Sequence, residues 1–238
     1  MDALLSGARA LLNLELTPAQ VAAFQTYADE LRAWNEQFNL TAITDPQAIQ
    51  VKHFLDSLTL LRVLPAAGPR LNMIDVGTGA GFPGLPLKLV WPALQLTLVE
   101  ATGKKAKFCR HIVDTLKLSG VTIVHARAEE IGRDRQHRER YDWAVARAVA
   151  EMPVLAEYLL PLLKRGGYMA AQKGKDAPAE TYAGTPAIQK LGGELDRISE
   201  VELPGIAEPR YLVVLKKVAA TPPQFPRRPG LPAKEPLK

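Results

Sequence analysis

The sequence predicts an α/β fold: a mostly parallel seven-stranded sheet with helices on both faces, preceded by a small helical domain. Three observations carry that expectation. Short strand-like runs alternate with helix-like ones over residues 72–173. A glycine-rich turn joins the first such run to the first following helix. Residues 1–65 show helical periodicity instead.

The elements come in order. Thr17, Pro18 and Gln20 form a capping-box start with proline at the first helical position. Val21, Phe24, Tyr27, Ala28, Leu31, Trp34 and Phe38 then recur at three- and four-residue steps, the stripe of an amphipathic helix. Asp45-Pro46 repeats the start signal, and Ile49, Phe54, Leu55, Leu58 and Leu61 make a second stripe. The prolines and glycine from Leu64-Pro65 to Gly68-Pro69 mark a boundary, so residues 1–68 form the expected helical domain and 69–220 the α/β domain. Expected strands are 72–76, 94–100, 121–126, 141–147 and 168–173, with helices near 84–90, 104–118 and 153–163. Such alternation means βαβ units and a parallel sheet covered on both faces. Residues 194–203 and 210–218 have no helix between them and are read as an antiparallel hairpin at the sheet edge. The C-terminal 221–238 stretch holds six prolines in its 18 residues and is expected to be a basic tail without regular structure.

Bulk properties narrow the function classes. The 238 residues are 47% hydrophobic and 23% charged, enough for one sizeable core. No apolar run approaches the roughly 20 residues that cross a bilayer. The first residues lack a basic n-region and a cleavage site, so no secretory signal is expected. A single cysteine, Cys109, permits no internal disulfide and fits a reducing cytoplasm; four scattered histidines show no metal-ligand spacing. Cys109 lies on an apolar helical face and is read as core, as are Trp34, Phe38 and Phe54. The net charge of +5 is uneven. Residues 1–70 carry 5 basic and 7 acidic side chains, net −2; residues 71–174 carry 15 and 10, net +5; residues 175–238 carry 10 and 8, net +2. The basic excess therefore lies in the glycine turn and the segments C-terminal to it, which suggests a polyanionic partner such as nucleic acid.

The turn itself reads I-D-V-G-T-G-A-G-F-P-G-L-P over 74–86. Dinucleotide folds use G-x-G-x-x-G. Here Gly77, Gly79 and Gly81 are spaced G-x-G-x-G, and Phe82 stands where the third dinucleotide glycine would be. Asp75, two residues before Gly77, would repel a pyrophosphate but can accept from an ammonium group. Glu100 ends the second expected strand, 21 residues after Gly79, where a carboxylate binds ribose hydroxyls. An adenosine with an amino-acid end and no phosphate satisfies both acids, which points to S-adenosylmethionine. A dinucleotide-dependent oxidoreductase and a methyltransferase acting on a small molecule remain the alternatives, with a non-catalytic RNA-binding factor behind them.

Several segments share one resemblance. D-V-G-T-G-A-G-F-P-G-L-P-L at 75–87 is similar to the cofactor loop of the bacterial 16S rRNA guanine-N7 methyltransferases once called glucose-inhibited division protein B. W-N-x-x-F-N-L-T at 34–41, H-F-L-D-S-L at 53–58 and L-V-E-A-x-x-K-K-x-x-F at 98–108 resemble the same family in the same order. So do A-R-A-E-E at 126–130, Y-D-W-A-V-A-R-A at 141–148, Q-K-G at 172–174 and F-P-R-R-P-G-L-P-A-K-E-P-L at 225–237. The resemblance implies a Rossmann-like class I methyltransferase domain, S-adenosyl-L-methionine as cofactor, and 16S rRNA or the small ribosomal subunit as partner; a cytoplasmic monomer is expected. It implies cofactor contacts at Gly77, Phe82, Ala128, Glu129 and Arg147. Glu100 stands where many relatives carry Asp, and Gly132–Arg140 is longer than in many members, so the alignment there rests on the Y-D-W-A-V-A-R-A anchor.

The implied chemistry is methyl transfer to guanine N7, an exposed lone pair on the major-groove edge that needs no deprotonation. No general base is therefore expected, and alignment should dominate the rate. Arg147 is the best positioning candidate: it could meet guanine O6, a phosphate or the methionine carboxylate. Lys104, Lys105, Lys173, Arg227 and Arg228 are the candidate RNA contacts. For the last two, a disordered basic tail is the rival reading.

Overall fold

The computed structural model describes residues 1–66 and 70–238. The expected boundary at Gly68-Pro69 lies outside the described residues. The chain opens with α1 (Asp2–Leu12) and α2 (Pro18–Phe38). The capping box is present: Thr17 Oγ1 accepts from the Gln20 N–H, and Gln20 Oε1 accepts from the Thr17 N–H at 2.9 Å. Asp45 caps α3 (Pro46–Ala48) through the Ala48 N–H at 2.7 Å. A π-helical stretch, Ile49–Leu55, then leads into α4 (Asp56–Leu58).

Seven strands come next: β1 (Asn72–Val76), β2 (Gln95–Glu100), β3 (Val121–His125), β4 (Tyr141–Arg147), β5 (Leu163–Lys173), β6 (Gly193–Val201) and β7 (Arg210–Lys217). They form one sheet in the order β3-β2-β1-β4-β5-β7-β6, with β7 antiparallel to β5 and β6. The order reverses direction between β1 and β4, which is where open α/β sheets bind ligands beyond the strand carboxyl ends. The crossovers are α5 (Gly84–Val90), α6 (Gly103–Thr115), α7 (Ala128–Arg133) and α8 (Met152–Leu159). Between β5 and β6 lie α9 (Ala177–Ala183) and α10 (Thr185–Lys190), and a short α11 (Leu231–Lys234) lies in the tail.

Strand alternation divides the core in two. Met73, Trp143, Val145 and Ala170 point to one face, where Leu4, Phe24, Tyr27, Phe54 and Leu58 of the N-terminal helices cover them. Ile74, Val76, Ala144, Ala146 and Met169 point to the other, under Met152, Leu155 and Leu159 of α8. Asp75 of β1 and Arg147 of β4 keep the parity of Met73, Trp143 and Val145 and thus share the face covered by the N-terminal helices, whereas Tyr141, before the irregularity in β4, packs on the other. That parity is what sets an N-terminal helical layer against the chemistry of the sheet edge.

Three expectations need correction. The helix expected near 153–163 ends at Leu159, well before Gly166 and Gly167, because Pro161 cannot continue it; a single 3₁₀ turn covers Leu160–Leu162. The strand begins earlier than expected, and its pairing with β4 jumps from Tyr141↔Leu163 to Trp143↔Tyr168, so the two glycines sit in a bulge. The tail is likewise no free strand of prolines. Arg133 Nε donates to the Pro226 carbonyl at 2.6 Å, and Arg138 donates to the Phe225 and Thr221 carbonyls at 2.7 and 2.8 Å. Both arginines come from the long Gly132–Arg140 segment, which therefore clasps the tail onto the sheet.

Candidate active site

Gly77, Gly79 and Gly81 all adopt left-handed backbone, with φ of 71°, 62° and 98°. Side-chain-bearing residues avoid that region, so the alternating glycines follow from the turn itself. At Gly79 a Cβ would meet nothing within 4 Å and would project into open space, while the residue's N–H donates to Glu100 Oε2 at 2.8 Å. Glu100 Oε1 accepts from the Thr102 N–H at 2.7 Å. Each carboxylate oxygen keeps a further lone-pair direction for a hydroxyl.

Asp75 has a different place from the one expected. It is fully buried and lines none of the cavities at this edge. Its Oδ2 accepts from Thr78 Oγ1 at 2.6 Å and from the Gly84 N–H at 2.8 Å, so it closes the turn and caps the start of α5. Burial raises its pKa to about 6 despite those hydrogen bonds. Only Oδ1 is left without a partner among the described residues.

Three cavities meet along this edge. The first, about 220 Å³, is lined by Gly77, Glu100, Ala128, Glu129, Tyr158 and Gly230. It is closed from the tail side, where the Gly230 N–H donates to Glu129 Oε1 at 2.8 Å. The second, about 190 Å³, continues past Gly77 and Gly79 to Phe82, Lys105, Arg147 and Ala148. The third, about 310 Å³, opens between Lys52, His53, Asp56, Arg147, Gln172 and Arg210. His53, Arg147 and Ala148 line both the second and the third and form their common wall. A broader polar cleft of about 670 Å³ lies at the strands' amino ends, around Arg70, Gln95 and Asp142, remote from the glycine turn.

Arg147 is built into this wall rather than free in it. Its Nη1 donates to Asp56 Oδ2 and to the Lys52 carbonyl, both at 2.9 Å, and its guanidinium lies 5.0 Å from the Phe82 ring centre. Nη2 lies 3.2 Å from His53 Nδ1. A guanidinium only donates, so Nδ1 accepts and the imidazole proton sits on Nε2, which meets Thr41 Oγ1 at 2.9 Å. Burial, and then the nearby Arg147 charge, lower the His53 pKa to about 3. Its ring stacks on Phe82 at 4.4 Å, and Tyr27 stacks on Phe82 at 5.4 Å while donating to the Ala80 carbonyl. Phe82 is thus a buried keystone between the glycine turn and the N-terminal helices. Ala148 holds a left-handed φ of 55°, a strained conformation for a residue with a Cβ.

The remaining expected residues divide. Lys105 borders the second cavity, and Lys104 is exposed at the start of α6. Lys173 borders the third cavity, but its Nζ is held by Glu180 Oε1 and the Ala150 carbonyl, each at 2.8 Å. Arg227 is no phosphate clamp: it grips fully buried Glu157 with Nε at 2.9 Å and Nη2 at 2.7 Å. A buried carboxylate demands such a partner, and the tail supplies it. Arg228 remains exposed. His53, Asp56, Thr41 and Gln172 line these cavities and Tyr27 braces Phe82 behind them, although the sequence names none of them as a candidate. The H-F-L-D-S-L segment is the available signal, since its His and Asp are three residues apart and reach one arginine.

Residues 20–206 match the family described as rRNA small subunit methyltransferase G. The chain belongs to this family. It is 50% identical over 225 residues to ribosomal RNA small subunit methyltransferase G of Chloroflexus aggregans, covering 94% of this chain and 93% of that one. The protein of the same name from a Roseiflexus strain is 50% identical over 237 residues, covering the whole of both. Among solved structures, an S-adenosylmethionine-dependent methyltransferase from Aquifex aeolicus superposes with a TM-score of 0.55 at 16% identity, over 74% of this chain and 96% of that one. Thermus thermophilus TrmN gives 0.53 at 23% identity, over 69% of this chain and 48% of that one. These structural likenesses support the Rossmann-like sheet. The family membership joins that sheet to the glycine turn and to the helical layer facing it, because the matched residues span both.

Proposed function

We propose that this chain is an S-adenosylmethionine-dependent methyltransferase that modifies N7 of a guanine in 16S rRNA. The observation that carries the reading is the shared wall of His53, Arg147 and Ala148 between a cavity on the glycine turn and a cavity open to the surface. One side fits the amino-acid end of the cofactor and the other a base.

The residues present fit the cofactor. Glu100 would hold the ribose hydroxyls, Ala128 and Glu129 would flank the adenine, and the Gly77–Gly79 backbone would follow the chain towards the sulfur. Asp75 acts by fixing that backbone, with Oδ1 as its one remaining acceptor. S-adenosylmethionine supplies an electrophilic methyl on a sulfonium, which the N7 lone pair can take directly. No proton need leave N7, and His53 is not equipped to remove one: Arg147 occupies the Nδ1 lone pair, Nε2 carries the proton towards Thr41, and burial lowers the pKa to about 3. Arg147 and Phe82 position the two cavities against each other, which is the contribution that orientation makes to the barrier. Gln172 and Arg210 line the outer cavity, and their buried Oε1 and Nε have no partners among the described residues.

The basic excess of residues 71–174 supports an RNA substrate over a small molecule. No helix among the described residues is long and apolar enough to cross a membrane, and their large exposed hydrophobics, Phe38, Tyr182 and Val218, are few. Both fit a cytoplasmic monomer acting on 16S rRNA or on the small subunit. Radiolabelled methyl transfer to naked 16S rRNA and to small subunits, followed by mapping, tests the reading. Label on a single guanine at N7 is the expected result; label on free metabolites alone would overturn it. Thermal stabilisation by S-adenosylhomocysteine but not by NAD is expected from the same cavities.

A further inference from the structure

A further concavity, about 500 Å³, lies on the outer side of the β2–α6 turn and belongs to none of the cavities above. Trp34 and Phe38 of α2 form one side, and Lys104, Lys107 and Arg110 of α6 form the other. The two rings lie 5.4 Å apart, and Phe38 is 37% exposed, so the α2 stripe read from sequence as core ends in an open aromatic surface. None of the three cations has an ion-pair partner among the described residues, and no acidic side chain lines the groove. The groove also adjoins the active site: Phe38 and Lys104 line it, while Leu40, Thr41 and Lys105, one to three residues away, line the cavity on the glycine turn.

We propose that this groove is a second RNA subsite, in which an unpaired base neighbouring the target packs on Trp34 and Phe38 while its phosphates meet Lys104, Lys107 and Arg110. The chemistry is that of single-strand recognition: a basic track for the backbone beside aromatic faces for the bases. Neither half suffices alone. An exposed aromatic pair would take any apolar partner, and lysines on a helix face would attract any polyanion; together, and with no acid between them, they select a stacked nucleotide. The inference rests on the reading of an RNA substrate, and it adds where RNA other than the modified guanine is held.

Trp34 provides the readout. Trp91 and Trp143 are buried, so Trp34 is the tryptophan a ligand in the groove can touch. Titration of the full chain with hexa-adenylate should quench tryptophan emission, and the quenching should weaken as salt rises. Phe38→Ala should weaken the oligonucleotide about tenfold, as loss of one stacking face does. The double variant Lys107→Glu, Arg110→Glu should weaken it further and lower the salt slope by about 1 to 2, two fewer phosphate contacts. Both variants should raise KM for 16S rRNA and leave S-adenosylhomocysteine affinity unchanged, which shows that they fold. If both bind hexa-adenylate and methylate rRNA as the wild type does, the subsite is refuted while the methyltransferase reading stands. If the wild type binds S-adenosylhomocysteine but neither binds nor methylates any RNA, the substrate reading falls and takes the subsite with it.

Discussion

Arg147 at the end of β4 and Asp56 in α4 are joined by a 2.9 Å ion pair that is nearly enclosed, with side-chain exposures of 14% and 9%. The pair ties the sheet edge to the N-terminal helices at the point where two cavities share a wall. Asp56→Asn keeps the shape and removes the charge, leaving Arg147 uncompensated. The expected cost is about 2–4 kcal/mol, because breaking one side of an enclosed pair strands the other. Urea denaturation measures it, and kcat for rRNA should fall more than cofactor affinity does. Unaltered stability and rate would remove Arg147 from the positioning role.

Glu157 and Arg227 make a second such pair, here holding the tail. Arg227→Ala should destabilise the protein by about 3 kcal/mol, since Glu157 is left buried without a cation. It should also weaken S-adenosylhomocysteine, because the same tail brings Gly230 to Glu129. Adding Glu157→Gln to that variant should recover part of the stability but not the affinity. A double-mutant cycle read by calorimetry and thermal shift separates the two effects.

The buried imidazole predicts a pH dependence. His53 titrates near 3 when folded against about 6.5 when unfolded, so below pH 6.5 the unfolded chain binds the proton that the folded one refuses. Stability from this group is complete above pH 6.5 and is lost as pH falls towards 3. Asp75 acts in the opposite sense: its folded pKa of about 6 exceeds the unfolded value of 3.8, so its penalty at neutral pH is relieved between pH 6 and 4. Comparing wild type with His53→Asn cancels the Asp75 contribution. The difference in unfolding free energy should shrink by about 1.4 kcal/mol per pH unit below pH 6. A difference that stays flat with pH would mean His53 titrates normally.

Gly79→Ala separates ligand space from fold. The left-handed φ costs an alanine about 1 kcal/mol, so Tm should fall by about 2–4 °C. The new methyl group would meet no protein atom within 4 Å, yet it would stand in the cofactor's space. S-adenosylhomocysteine should bind at least tenfold more weakly, as read by isothermal titration. Wild-type affinity would place the cofactor elsewhere.

Features legible in the chain before folding were local or periodic. The Thr17–Gln20 capping box, the alternation of β1 to β5 and the G-x-G-x-G turn each depend on residues within a few positions of one another, so spacing alone shows them. The order of motifs likewise identified the family. Only the tertiary structure decided which charges are free. Asp75 and Arg227 have the composition of binding residues, but one gives Oδ2 to the turn it closes and keeps only Oδ1, and the other is held by a carboxylate 70 residues away in sequence. His53 and Asp56 stand together in one motif, but their contact with Arg147 appeared only when the fold set the N-terminal helices against the face of β4 that carries it. A carboxylate or guanidinium is committed by whichever partner burial leaves it, and burial is a property of the packed chain rather than of the segment.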